Sequence, residues 1–242
     1  MDAGTATRLS EINRSFYTEF GASFSATRHR LQPGVRRVLE TLKGEESILD
    51  LGCGNGEFAR ELAKRGHRGT YLGVDISPPL LQDAERQPGG MPAKFMEVDL
   101  TRLPAFSDQL TAQDGWSVVT AFAVLHHIPS RDLRIDILRI VNHLLKTEGR
   151  FIHSHWQFLN SEKLRARIQS WESANVLASS VDLGDYLLDW RNGGNGLRYV
   201  HHFDERELGE LATASRFQVV DTFYSDGDTG NLGLYQVWTP VE

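Results

Sequence analysis

This sequence predicts an α/β fold in which a mostly parallel sheet carries helices on both faces. Two patterns support that reading. Short apolar runs alternate with amphipathic helical stretches between residues 47 and 156, as strand–helix–strand crossovers require. The first run, Ile48-Leu49-Asp50-Leu51, breaks into Gly52-Cys53-Gly54-Asn55-Gly56 and passes at once into a periodic helix that begins Glu57-Phe58-Ala59-Arg60. Glycine in such a loop lets backbone amides at a helix N-terminus approach a ligand closely, because no Cβ blocks the way.

The elements can be justified in order. Residues 7–20 read as a helix with Leu9, Ile12, Phe16 and Phe20 on one stripe. Pro33 opens a second helix carrying Val35, Val38, Leu39 and Leu42, so residues 1–45 form N-terminal helices. Strands are predicted at 47–51, 70–75, 93–98, 116–122 and 149–156, with helices near 56–65, 78–86 and 131–146 between them. The last of these helices starts after Ser130, a good N-cap, and turns Leu133, Ile137, Ile140, Val141 and Leu144 to the core. Residues 157–203 break the alternation. They are predicted as a helical insertion, helical near 160–176 and ending in Arg191-Asn192-Gly193-Gly194-Asn195-Gly196, laid over the carboxyl edge of the sheet where a substrate lid would sit. A helix at 204–214 and strands near 216–224 and 232–239 bring the sheet to seven strands, within a single domain over 1–242.

Composition narrows the function class. With 242 residues, 40% hydrophobic and 24% charged, the chain has the make-up of an ordinary globular domain. The single Cys53 excludes an internal disulfide and a cysteine-based zinc cluster within the chain. No apolar signal core or run of membrane-spanning length is present, so a cytoplasmic location without membrane contact is expected. The net charge of −6 gives no global footprint for nucleic acid. Basic residues do cluster locally, as Arg28, His29, Arg30, Arg36 and Arg37 and again as Arg191, Arg198, His201 and His202. Each cluster is either a solvated face or part of an anion site.

The glycine spacing selects the ligand. A dinucleotide fingerprint needs G-x-G-x-x-G, and here Glu57 stands where the third glycine belongs, facing a pyrophosphate with a like charge. No Gly-Lys-Ser/Thr follows, so a P-loop fails as well. A cofactor without phosphate fits. The second strand ends at Asp75, followed by Ile76, where an acid accepts from both ribose hydroxyls. The third ends Val98-Asp99-Leu100, where Asp99 accepts from an adenine amino group and the Leu100 amide donates to the ring. Together with Asp50, Gly52, Gly54 and Gly56, these residues make a candidate site beyond the carboxyl ends of the strands. The Asp-Leu-Gly-x-Gly-x-Gly loop with its downstream acids resembles the first motifs of class I S-adenosylmethionine methyltransferases. That resemblance implies a Rossmann-like sheet with an antiparallel last strand and S-adenosylmethionine as cofactor.

The fourth strand ends Leu125-His126-His127-Ile128-Pro129, which matches the fourth methyltransferase motif, beside the reactive methyl. Either histidine is a candidate catalytic residue, as general base or orienting donor, or a plain capping residue. His153 and His155 share one strand face, but no carboxylate spacing supports a metal, and none is expected. Outside the cofactor motifs, Phe24-Ser25-Ala26-Thr27-Arg28, Gly184-Asp185-Tyr186-Leu187-Leu188-Asp189-Trp190 and Leu197-Arg198-Tyr199-Val200-His201-His202-Phe203 resemble segments of the tRNA wobble-uridine carboxyl methyltransferases. The chain departs from that family at Gln32, where a tryptophan is usual, and at Leu188-Asp189, where the family has Val-Pro. The resemblance implies methyl ester formation on 5-carboxymethyluridine, with tRNA and a small activator subunit as partners. Arg28 is then the carboxylate clamp, or otherwise an internal salt bridge. Arg30, His155, Arg198 and His202 are the remaining substrate-side candidates. Methylation of a small carboxylic acid or hydroxyl metabolite, and a silent S-adenosylmethionine-binding regulator, remain the alternatives. The sequence leaves the oligomeric state open.

Overall fold

The computed structural model describes residues 1–25, 30–86, 91–191 and 194–241. Two helices, α1 (Ala3–Ser25) and α2 (Pro33–Leu39), precede the alternating region. There β1 (Ile48–Leu51), α3 (Glu57–Lys64), β2 (Tyr71–Asp75), α4 (Pro78–Glu85) and β3 (Ala93–Glu97) build one half of the sheet. After the short α5 (Ser107–Leu110), the other half starts with β4 (Trp116–Phe122), α6 (Arg131–Leu144) and β5 (Leu145–Trp156). The insertion contains α7 (Glu162–Arg165), β6 (Ile168–Gln169), β7 (Asp185–Trp190) and β8 (Gly196–His201). The chain returns through α8 (Glu205–Ala214), β9 (Phe217–Ser225) and β10 (Gly233–Pro240).

The seven-stranded sheet has the order β3-β2-β1-β4-β5-β10-β9. Strand β1 runs parallel to both β2 and β4, while β10 is antiparallel to both β5 and β9. The order therefore reverses between β1 and β4, and the crevice beyond their carboxyl ends is where such sheets bind ligands. Alternate residues of each strand serve opposite faces. Leu49, Leu51, Val119, Ala121 and Phe151 pack with Ile137, Leu138 and Val141 of α6 and Leu208 and Leu211 of α8. Ile48, Tyr71, Val118 and Ile152 pack on the other face with Val35 and Val38 of α2 and Phe58 and Leu62 of α3. Burial on both faces explains why β1 reads as a continuous apolar run.

The insertion corrects the helical expectation. Among its described residues the strands form a three-stranded antiparallel sheet, β6-β7-β8, and the helical content is one four-residue helix with 3₁₀ turns at Phe158–Asn160, Trp171–Ala174 and Ala178–Ser180. Leu164, Ile168 and Trp171 recur at helical spacing, yet they join two separate clusters. Leu164 and Ile168 pack around Phe158, Leu188 and Val200, and Trp171 packs with Leu9, Leu187 and Tyr199. The alternation Leu187/Leu188 and Tyr199/Val200 is strand periodicity, with one face on α1 and the other on the Phe158 turn. Of the glycine-rich run, Asn192 and Gly193 lie outside the described residues and Gly196 opens β8.

Buried charge fixes this sheet to the core. Arg134 of α6 is 1% exposed. It donates from Nε to the Ile128 carbonyl and from Nη2 to the Tyr199 hydroxyl, each at 2.8 Å. Its guanidinium lies 3.6 Å from Asp185 of β7 and 3.6 Å from Glu207 of α8. His201 bridges the same two carboxylates, Nδ1 to Asp185 at 2.6 Å and Nε2 to Glu207 at 2.9 Å. Arg134 and His201 thus tie together two carboxylates from separate elements, with Arg134, His201 and Asp185 buried and Glu207 partly exposed. No helix among the described residues is long and apolar enough to cross a membrane.

Candidate active site

A cavity of about 640 Å³ opens beyond the carboxyl ends of β1 to β5, roofed by Ser10, Asn13, Arg14 and Tyr17 of α1. Its volume falls in the usual range of small-molecule sites. Gly52, Gly54 and Gly56 all adopt left-handed backbone, with φ of 70°, 55° and 76°. The Gly52 and Cys53 amides donate to the Val74 carbonyl at 2.7 and 2.9 Å, which ties the loop to β2. A Cβ on Gly52 would stand 2.4 Å from Cγ2 of Val124, whereas one on Gly54 would meet nothing within 4 Å. Gly52 is therefore required for packing against the segment after β4, and Gly54 for its backbone conformation alone. Gly56 caps α3 and is not part of the cavity wall. Glu57 pairs with Arg60 at 2.9 Å.

The predicted acids are brought together, each with a partner. Asp75 accepts from the Gly54 amide and the Ser77 amide, both at 2.9 Å, and burial raises its pKa from the ordinary carboxylate value. Ile76 and Leu100 line the wall beside it. Asp99 caps the turn after β3 by accepting from the Thr101 amide at 3.0 Å and hydroxyl at 2.7 Å, and its other oxygen is met by Arg14. Asp50 borders the cavity, but its two oxygens accept from Tyr71 at 2.6 Å and Thr120 at 2.7 Å. Its immediate work is to anchor the strand under the glycine loop.

Burial pushes the Asp50 carboxyl up to about 6, against the lowering effect of the Tyr71 and Thr120 hydroxyls. The sign of the consequence follows from proton linkage. The folded chain holds this proton more tightly than the unfolded chain, so stability falls as pH rises from about 4 through 6. The cost at neutral pH is about 3 kcal/mol. Asp50→Asn is expected to remove this slope, so the variant gains in Tm on the wild type between pH 5 and pH 7.5. Parallel Tm profiles for the two proteins would refute the assignment.

The histidines separate clearly. His127 has Nδ1 3.0 Å from the Tyr199 carbonyl and Nε2 2.9 Å from the Tyr17 hydroxyl, and its own carbonyl accepts from Asn13. It clamps α1 and β8 to the end of β4. His126 is 1% exposed and lines the cavity. Its Nδ1 accepts from the Trp156 amide at 3.4 Å, which places the ring proton on Nε2. That nitrogen has no hydrogen-bond partner among the described residues. Burial, with His127 and His155 nearby, holds the ring well below the usual histidine range, so it stays neutral. The result is a fixed N–H donor.

Substrate-side candidates divide likewise. Arg198 is buried at the cavity wall, with its guanidinium 5.0 to 5.4 Å from the ring centres of Phe16, Trp156 and Trp190. Arg30 is exposed on the wall. His155 lines the cavity and pairs with His153, Nε2 to Nδ1 at 2.7 Å. His202 is not in the wall. It packs edge-on against Phe158 at 5.6 Å, because it shares a face with Arg198 but lies about 13 Å further along the chain at strand rise. Arg28 lies outside the described residues. Sequence reasoning missed Asn13, Arg14 and Tyr17, whose i, i+1, i+4 spacing sets them on the polar side of the α1 stripe. It also missed Tyr235, which donates to Asp226 at 2.6 Å, while Asp226 accepts from the Gly34 amide at 2.9 Å. Among the described residues, no three His, Cys, Asp or Glu side chains are grouped to hold a metal ion.

This geometry suits S-adenosylmethionine: glycine backbone at the sheet switch point, acids at two strand ends, and a neutral donor at the fourth. Residues 24–222 match the family model described as a methyltransferase domain, and the chain belongs to that family. It is an S-adenosylmethionine-dependent methyltransferase. A relative from Encephalitozoon cuniculi, ECU09_1500, is 31% identical over 207 residues, covering 85% of this chain and 87% of its own; its name places it among methyltransferases without stating a substrate. The mouse tRNA (carboxymethyluridine(34)-5-O)-methyltransferase ALKBH8 is 25% identical over 181 residues, covering 72% of this chain but only 25% of the mouse protein. A solved S-adenosylmethionine-dependent methyltransferase from Methanosarcina mazei superposes with a TM-score of 0.65 at 24% identity, over 87% of this chain and 98% of that one.

Proposed function

We propose that this enzyme forms a methyl ester on a carboxylate, with 5-carboxymethyluridine at the wobble position of tRNA as the acceptor. The observation that carries the reading is His126. A histidine held neutral, with its proton on Nε2, donates a hydrogen bond and does not take up a proton, which suits an acceptor that arrives already ionised. A carboxylate meets that condition at neutral pH, and a hydroxyl does not. The name of the mouse relative supports the tRNA acceptor.

S-adenosylmethionine, when bound, supplies an electrophilic methyl on a sulfonium. The glycine loop, Asp75 and Asp99 hold the cofactor. Arg14 shares Asp99 and closes α1 over the adenosine end. His126 donates to the acceptor and orients one carboxylate oxygen behind the methyl, while His127 positions the strand end that carries it. The chemistry the cofactor would supply is transfer of that methyl to the oriented oxygen, with the neutral thioether as leaving group. Arg28 and Arg30 belong to the acceptor side, with Arg28 as the proposed clamp. A small activator subunit and tRNA are the proposed partners.

Labelled S-adenosylmethionine, incubated with the enzyme and tRNA bearing 5-carboxymethyluridine, is expected to place label in the tRNA that mild base releases as methanol. Base-stable label, or label confined to small acids or hydroxyl metabolites in a parallel extract, overturns the tRNA ester. Absence of transfer in both favours a silent cofactor-binding regulator.

A further inference from the structure

We infer that Arg198, delivered by the inserted sheet, reads the charge of the acceptor and so distinguishes acid substrate from ester product. The inference rests on the carboxylate reading above and deepens it. Arg198 belongs to β8, outside the methyltransferase sheet, yet it forms part of the cavity wall that His126, His155 and Trp156 also line. The residue is only 4% exposed, and its guanidinium lies against rings from three elements, Phe16 of α1, Trp156 of β5 and Trp190 of β7. Cation–π contacts of this kind fix a guanidinium in position. Held in this way, it cannot swing to solvent as the exposed Arg30 can.

The chemistry makes such a fixed cation asymmetric. Before transfer the acceptor is an anion, and a charge-assisted pair with Arg198 is strong. During transfer a carboxylate oxygen takes the methyl, the carbon–sulfur bond breaks with its electron pair going to sulfur, and both organic products are neutral. The ester keeps a carbonyl oxygen that accepts a hydrogen bond, but it has lost the charge. Arg198 therefore binds the substrate more tightly than the transition state or product. It lowers KM, does not raise kcat, and lets the ester leave.

The test uses the full chain loaded with S-adenosylhomocysteine, whose neutral sulfur removes the competing cofactor charge. Calorimetry compares the nucleoside 5-carboxymethyluridine with its methyl ester. Wild type is expected to prefer the acid by about 30-fold, the scale of one charge-assisted hydrogen bond. Arg198→Gln should bring the preference within about threefold and raise KM for the carboxylate with kcat unchanged or higher. Arg198→Lys should retain most of the preference, which also covers the case in which the glutamine variant does not fold. Equal binding of acid and ester by wild type overturns the inference, as does an unchanged preference in a glutamine variant that still binds S-adenosylhomocysteine. A fall in kcat at constant KM also overturns it, by making Arg198 a transition-state group. The two failures are distinguishable. Missing base-labile label from wild type removes the ester reading itself, whereas normal ester formation with an unchanged acid preference in Arg198→Gln removes only the role of Arg198.

Discussion

Gly52→Ala is expected to abolish practical cofactor binding, with S-adenosylmethionine affinity falling about 100-fold or more by calorimetry. Two costs combine. The residue sits at φ 70°, where an L side chain costs roughly 1–2 kcal/mol. The new Cβ would also meet Val124 at 2.4 Å, so either the loop or the segment after β4 must move. That segment has little freedom, because Ala123 already holds a left-handed φ of 57° and its amide donates to both the carbonyl and the hydroxyl of Ser154 at 3.0 Å. The loop yields instead, and the Gly54–Asp75 bond goes with it. Gly54→Ala is the control. Its Cβ meets nothing within 4 Å, so only the backbone cost of about 1 kcal/mol applies, roughly fivefold in affinity. Equal losses in the two variants would show that the contact with Val124 does not govern the loop.

Arg134→Met is expected to destabilise the protein by about 3–5 kcal/mol, because it leaves the Asp185 carboxylate buried without the guanidinium that faces it and removes the donors to Ile128 and Tyr199. For a chain of this size that corresponds to a Tm lower by about 10 °C. The loss should not be uniform. Tyr199 and Asp185 belong to the inserted sheet, so acceptor binding through Arg198 should weaken at temperatures where cofactor affinity is still normal. A variant with wild-type Tm, or one losing cofactor and acceptor affinity in parallel, would mean that Arg134 does not hold the insertion to the core.

The seven-strand alternation was legible because each signal is local. A buried parallel strand is a short apolar run, and a glycine loop before a helix is a contiguous pattern. The seven strands of this sheet lie within a residue or two of their predicted ends, except that β5 begins at Leu145, four residues early. The insertion was misread for an equally local reason. Leu164, Ile168 and Trp171 mimic a helix, and only contact with Phe158 on one side and α1 on the other shows that they belong to separate clusters.

By itself, then, the sequence determined the strand–glycine–helix unit, the acids at the ends of β2 and β3 and the class of cofactor, since spacing along a strand decides which residues reach its carboxyl edge. Tertiary structure alone decided the division of labour within the site. Neighbouring His126 and His127 look equivalent in the chain, but the Trp156 amide makes the first a cavity-facing donor, and Tyr17 with Tyr199 makes the second a clamp. Arg198 and His202 look equally eligible, but three aromatic rings from distant segments hold only the arginine at the cavity. Such roles depend on partners tens of residues away, and a proton or a charge takes its function from what surrounds it in space.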